Sequence, residues 1–508
     1  MPQLRGKNVL FVPDGPTSSQ EELSSLLAHL NVRDGLRVLG DLFSKLDSTT
    51  KKSADIGGTL VPTFAIPPLA LELILASNDS VTGQIDDDCV SRLVDCFHRL
   101  PWPSVDGDRG IEALLRMGQA QFSYQRPDPH RIARTARFFR DLWPSTPETS
   151  GLDIQEVTQA AFGMSLDATL LFGFAFSVRA SAGYVSPYVG HRDDQPITAL
   201  FTPEAQKKFL NHLSASYGEV RLAANARPVS EELRKYRFNP LSVHPLIRPD
   251  KQPEGQSEVY LVPCAKFLLD RMTDGLIYDG RKHFGQAFND AFGHVAERYV
   301  GDLLLESFGS QAIKGDFSYR VRKNKILSPD WTVFGNGSAV VIEVKKTLLQ
   351  SDARAFGMLS SVRADLKYTL QKAVSQLSTF RKNVHSRTEY PPVRDIEFVI
   401  ATWDESWWAS SLLMKEIAAV PDNVHIHILS VHDLERLLAL SGSPEEFHRL
   451  LWSKRNSGEE DAEMDMSDWL SRLPGGSIHR PLKSLLRVQD EFFNGWGLAS
   501  AATGQVAG

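Results

Sequence analysis

From residue 19 to about 240 the apolar positions recur at spacings of three and four, as in SSLLAHLNVRDGLRVLGDLFSKL, VSRLVDCFHRL and SLDATLLFGFAFSVRA, and this periodicity predicts amphipathic helices. GTLVPTFAIPP and RLPWPSVDGDRG, rich in Pro and Gly, read as connections between those helices. SVHPLIRP and SEVYLVPC flank the polar stretch DKQPEGQ, which predicts a strand, a loop and a second strand. From about Lys266 the pattern changes to a long helix, then strands, a helix, and two apolar strands, EFVIATW and VHIHILSV, separated by another helical pattern. That order predicts a compact mixed α/β domain ending near Leu440. SGEEDAEMDMSDWL then reads as a solvated helix start or a mobile surface segment. The expected organisation is therefore multidomain: a mainly α-helical recognition or regulatory region over residues 1–265, an α/β domain with a mixed sheet flanked by helices over 266–440, and an acidic C-terminal extension over 441–508.

Within the α/β domain, KILSPDWTVFGNGSAVVIEVKK carries the candidate chemistry. A strand ends around Pro329 and Asp330, Gly335-Asn336-Gly337 supplies turn residues, and Ser338 to Lys345 forms an apolar strand, which together predict a β-hairpin. Side chains alternate along a strand, so Glu343 and Lys345 share one face while Ile342 and Val344 point into a core. A carboxylate two positions from an amine in such a strand is costly to bury unless both are paired or bind a metal. Asp330, on the neighbouring strand, is the natural third member. Pro-Asp alone carries no information, since it occurs five times, starting at Pro13, Pro127, Pro249, Pro329 and Pro421. Only the copy at Pro329 is followed, after a glycine turn, by Glu-x-Lys in a strongly apolar strand. Two carboxylates with carbonyls and waters suit Mg²⁺ or Mn²⁺, which polarises a phosphoryl oxygen and lowers the pKa of a bound water, while a lysine beside it orients that water or stabilises developing charge.

Upstream, FGQAFNDAFGHVAERYVGDLLLESFG is a helix with a core stripe of Phe288, Phe292, Val295, Tyr299 and Leu303. Glu297 lies off that stripe, bracketed at four-residue spacing by Gly293 and Gly301, which predicts a groove of low side-chain bulk along its face.

Residues 284 to about 440 resemble the PD-(D/E)xK nuclease superfamily, the restriction-endonuclease-like group that includes RecB-type nucleases and Holliday-junction resolvases. The resemblance implies an α-β-β-β-α-β core in which Asp330, Glu343 and Lys345 are catalytic and Glu297, Asp330 and Glu343 hold the metal. It also implies that FSYRVRKNK, residues 317–325, is the first strand, and that Gln376, in the helix from Arg363, is an accessory residue. The expected activity is metal-dependent endonucleolytic hydrolysis of phosphodiester bonds, of DNA more than RNA, in a setting such as bacterial restriction or antiphage defence, with a homo-oligomer or a defence protein as partner. The alternative from another class is a catalytically silent nucleic-acid-binding or assembly protein that retains the fold.

Composition adjusts this picture. At 508 residues, 42% hydrophobic and 23% charged, the chain reads as a soluble globular protein, and no apolar run reaches the roughly 18–20 residues of a membrane span. The N-terminus lacks a signal peptide's apolar core, and three cysteines without a CxxC pair argue against a disulfide framework, so the expected compartment is the cytoplasm. A formal net charge of −6 excludes coating of nucleic acid by bulk charge, so contact must come from a local basic surface. Arg320, Arg322, Lys323 and Lys346, with Lys325 and Lys345, supply the candidates, Arg320 and Arg322 on one face of a strand. No GxxxxGK[ST] loop is present, which excludes a P-loop motor. Asp86-Asp87-Asp88 reads as helix capping, His425 and His427 as the polar face of a terminal strand, and Trp403, Trp407 and Trp408 as packing around a strand end.

Overall fold

The computed structural model describes residues 17–47, 53–101, 116, 128–186, 202–226, 229–250, 258–316, 318–321, 324–346, 359–384, 390–403, 424–458, 464–474 and 481–494. The expected helices form. Val32–Asp47 buries Leu36, Leu39 and Phe43, Asp87–His98 buries Val90, Leu93, Val94 and Phe97, and Leu166–Arg179 buries Leu170, Phe172 and Phe176. Their starts follow local chemistry: the Asp86 carboxylate accepts the Cys89 N–H at 2.8 Å and the Ser165 hydroxyl accepts that of Ala168 at 3.3 Å. GTLVPTFAIPP is more than a connection, because it contains β2 (Thr59–Pro62), paired with β1 (Ser53–Ile56), and the start of the Ile66–Ala76 helix, where proline is tolerated in the first turn.

A small sheet in the order β3 (Tyr184–Val185), β6 (Tyr260–Leu261), β5 (Leu246–Arg248), β4 (Ser214–Ser216) contains the expected strand-loop-strand pair. It partitions the molecule. Leu246 and Tyr260 face one hydrophobic core and their chain neighbours Ile247 and Leu261 face the other, as strand alternation dictates. The smaller core belongs to the N-terminal helices. The larger one joins buried residues of 132–185 and 205–213, the Gln286–Phe308 helix, the main sheet and the C-terminal helices. Packing therefore does not divide at 265/266 or at 440/441. Of the segment expected to be a solvated helix start or a mobile surface stretch, residues 459–463 lie outside the described residues; a helix does start there, capped by Asp465, but Met466, Trp469 and Leu470 of the Met466–Arg472 helix are buried in the larger core together with Phe447, Leu485 and Phe492. Apolar residues at helical spacing outweigh the acidic run that precedes them.

The main sheet has the order β13 (Ile426–Ser430), β12 (Asp395–Thr402), β11 (Ser338–Lys345), β10 (Trp331–Phe334), β7 (Ile313–Gly315). β7, β10 and β11 are antiparallel neighbours, and β11, β12 and β13 run parallel. This is the mixed sheet flanked by helices that the pattern predicts. The first strand is misplaced in the sequence reading: β7 at 313–315 occupies that edge, whereas β8 (Ser318–Val321) and β9 (Asn324–Leu327) form a separate hairpin. Short, polar β7 carries no alternation signal of its own. Among the described residues no single helix is long and apolar enough to cross a membrane.

Candidate active site

β11 is central, with a neighbour on each edge and helices on both faces, which accounts for its run of β-branched residues. Val340, Ile342 and Val344 enter the larger core beneath the Gln286–Phe308 helix, and Glu343 lies on the opposite face. The hairpin turn closes as expected, with Gly337 at φ 75° and the Gly335 N–H donating to the Ser338 carbonyl at 2.8 Å.

Asp330 stands immediately before β10 rather than at the end of a preceding strand. Trp331 pairs with Ile342, so one further step of the antiparallel register sets Asp330 opposite Glu343. The Asp330 Oδ2 accepts the Val344 N–H at 2.6 Å, which anchors the carboxylate to the strand that bears Glu343 and Lys345. The Glu343 side chain is 1% exposed; its Oε1 accepts from the Lys345 Nζ at 2.5 Å, and its Oε2 is buried without a hydrogen-bond partner.

Glu297 arrives from the Gln286–Phe308 helix. Gly301 is buried, and a Cβ there would collide with the Trp331 indole, so glycine lets the ring next to Asp330 dock on the helix. The docked indole donates its Nε1–H to the Glu297 carbonyl at 2.9 Å. The groove expected beside Glu297 is thus filled at Gly301 and open at Gly293. The half-exposed Glu297 carboxylate lies 3.5 Å from the His294 Nδ1.

Each of the three acids feels the charge of another, which disfavours its ionisation. Burial and then the Asp330 charge push Glu297 up to about 7, against the opposing pull of His294 and Lys345. Burial and then Glu343 push Asp330 up to about 7, opposed by Lys345 and the Val344 N–H. Glu343 is raised by burial, with Lys345 opposing that rise, Glu297 adding to it and Lys372 reducing it. An oxygen-rich site with one orphaned carboxylate oxygen and mutually repelling acids fits a hard divalent cation, which would relieve both.

The remaining expected residues are less closely engaged. Gln376 is half-buried on the Leu359–Val384 helix with an Oε1 that lacks a hydrogen-bond partner, and among the described residues nothing joins it to the acids. Lys372, one turn earlier, is the residue of that helix whose charge acts on Glu343. Lys346 bonds the Asn289 carbonyl at 3.0 Å and lies 3.5 Å from Asp290, so it ties β11 to a helix. The backbone of Arg320 stands opposite Lys325 in the β8–β9 hairpin, while Arg322 and Lys323 lie outside the described residues, as do Trp407 and Trp408. Trp403 packs at the end of β12 against Phe138, Phe292 and Tyr299. His427, read as part of the polar face of a terminal strand, lies on the edge strand β13, buried and hydrogen-bonded to Glu397. His294 and Trp331 were missed. Their signals were an i, i+3 position before Glu297 and a bulky ring beside Asp330 that needs a glycine to receive it.

Comparison with protein-family models, with curated proteins and with solved structures finds no match.

Proposed function

We propose that this chain is a divalent-metal-dependent nuclease that hydrolyses phosphodiester bonds, of DNA in preference to RNA. One observation carries the reading: Asp330, Glu343 and Lys345 are held together by the Val344 N–H and the Glu343–Lys345 ion pair, with Glu297 electrostatically coupled to them across a second element. Glu297, Asp330 and Glu343 would hold Mg²⁺ or Mn²⁺, which when bound supplies Lewis-acid activation of the phosphodiester and of a water. The chain's own residues have separable tasks. The Lys345 ammonium, steered by the Glu343 Oε1, places positive charge where a phosphoryl oxygen becomes more negative, and Asp330 accepts from backbone and so stays fixed. His294 lies on the exposed side of Glu297, where it can share in orienting that carboxylate. Restriction or antiphage defence in the cytoplasm, with a homo-oligomer or a defence protein as partner, belongs to the same proposal.

The test is cleavage of linear, circular and single-stranded DNA and of RNA with Mg²⁺, Mn²⁺ or EDTA, comparing wild type with Asp330→Asn and Lys345→Met. Metal-dependent cutting lost in both variants supports the reading. Wild type that binds nucleic acid but cuts none of these substrates, with binding unchanged in both variants, would favour a catalytically silent binding protein.

A further inference from the structure

A second group of metal-ligating side chains sits towards the other end of the same sheet and is independent of the nuclease reading. β12 runs parallel to β11 with Asp395 beside Ser338 and Glu397 beside Val340, so Glu397 stands five residues short of the level of Lys345, about 16 Å along the strand. Asp395 and Glu397 share a face of β12, and the Pro444–Asn456 helix packs on β12 and brings His448 and Arg455 to them. Ligand atoms of Asp395, Glu397 and His448 all lie within 4.8 Å of one another. Glu397 is fully buried, and His448, 8% exposed, has an Nε2 without a hydrogen-bond partner, 3.7 Å from the Asp395 Oδ2. An imidazole nitrogen left unbonded in the interior and aimed at two carboxylates is a costly arrangement unless something binds between them.

The surroundings are organised around Glu397. Its Oε2 is 3.1 Å from the His427 Nε2, a hydrogen bond that requires the proton on that nitrogen and fixes the carboxylate plane. Its Oε1 forms an ion pair with Arg455 at 2.9 Å. The Arg455 side chain is 27% exposed, so its head can withdraw to solvent and leave Oε1 to another cation. The buried Lys454 is a further positive charge that acts on His427.

We propose that Asp395, Glu397 and His448 form a second metal site that takes Zn²⁺ or a similar first-row divalent ion and ties the Pro444–Asn456 helix to the sheet. One imidazole nitrogen and two carboxylate oxygens match such ions better than Mg²⁺, and three protein ligands leave a position for water. His427 orients Glu397, and Arg455 occupies the carboxylate when no metal does.

The experiment measures Zn²⁺ binding by calorimetry and Co²⁺ binding by visible absorption on the full chain carrying Asp330→Asn, so that the candidate active site is disabled. The expected result is binding that His448→Asn and Asp395→Asn each weaken by more than the roughly 10- to 100-fold of losing an outer-shell partner. Arg455→Ala, which removes the competing cation, should tighten it. Should His448→Asn fail to fold, Asp395→Asn decides, because that side chain is 46% exposed. Absence of Zn²⁺ binding, or binding indifferent to Asp395→Asn, overturns the proposal and leaves a buried ionic network.

Discussion

Asp330→Asn should stabilise the metal-free protein at alkaline pH while destroying its response to Mg²⁺. Asparagine keeps an oxygen to accept the Val344 N–H, so the substitution removes charge with little loss of hydrogen bonding. Asp330 is raised from 3.8 to about 7, mainly by burial and the Glu343 charge. A carboxyl whose folded pKa lies above its unfolded one contributes stability that is present at acid pH and is lost as pH rises through about 7. About three units at ~1.4 kcal/mol each bound the cost of ionisation at roughly 4 kcal/mol. Glu297, raised by burial and then by the Asp330 charge, titrates in the same range, so the macroscopic cost belongs to the group and the expected gain from one substitution is about 2 kcal/mol. Thermal unfolding in EDTA at pH 5 and pH 8.5 measures it. Wild type should lose midpoint between these values and regain it with Mg²⁺; Asp330→Asn should lose less and gain nothing from Mg²⁺. A variant destabilised equally at both pH values would refute the reasoning, because Asp330 would then be a structural cap rather than a strained acid.

Lys345→Met should reduce cleavage at least about 100-fold, as loss of a group aimed at developing charge does, with DNA binding retained in a filter or gel-shift assay. Gly301→Ala should displace the Trp331 indole and cost about 1–3 kcal/mol by overpacking, visible as a lower unfolding midpoint, and should reduce activity as well because the same indole holds the backbone of Glu297. Gln376→Ala should leave activity within about threefold, since it lacks a contact with the acids; a loss near that of Lys345→Met would restore it to the site. Arg134→Ala should cost up to about 3–5 kcal/mol in denaturant unfolding, because it removes the cation between two buried carboxylates and leaves Asp128 to Arg131 and Glu435 to the Tyr299 hydroxyl.

What the sequence discloses here depends on the range of the interaction. The hairpin, the sidedness of β11 and the convergence of Asp330 with Glu343 are consequences of alternation and a two-strand register, and both are written in about fifteen consecutive residues. The helical stripe of Phe288, Phe292, Val295 and Tyr299 is local in the same sense. What pairs with what across the molecule is not. The edge strand at 313–315 is three residues of weak pattern, chosen because it fits beside β10, while the stronger pattern at 318–327 folds on itself. His427 looked polar because histidine is polar; its burial is set by Glu397 on a strand thirty residues away. Nor does composition announce that the C-terminal helices enter the core, since the acidic residues before Met466 dominate any average over that stretch.

The same long-range packing bears on what the N-terminal region does. Arg134 spans from Asp128 to Glu435, and Glu435 also accepts from the Tyr299 hydroxyl at 2.7 Å on the helix that carries Glu297. Phe138 packs with its ring 4.4 Å from that of Trp403, and the Trp403 backbone N–H donates to the Lys345 carbonyl at 3.3 Å. Residues 128–143 therefore stand directly behind both elements that supply the candidate site. Any influence of a region bound in this way by buried charges and aromatic rings would have to pass through that framework. An effector that bound there and altered cleavage would have to move Phe138 or Arg134, and thereby the backbone of Lys345 or the helix of Glu297, rather than release a tethered domain.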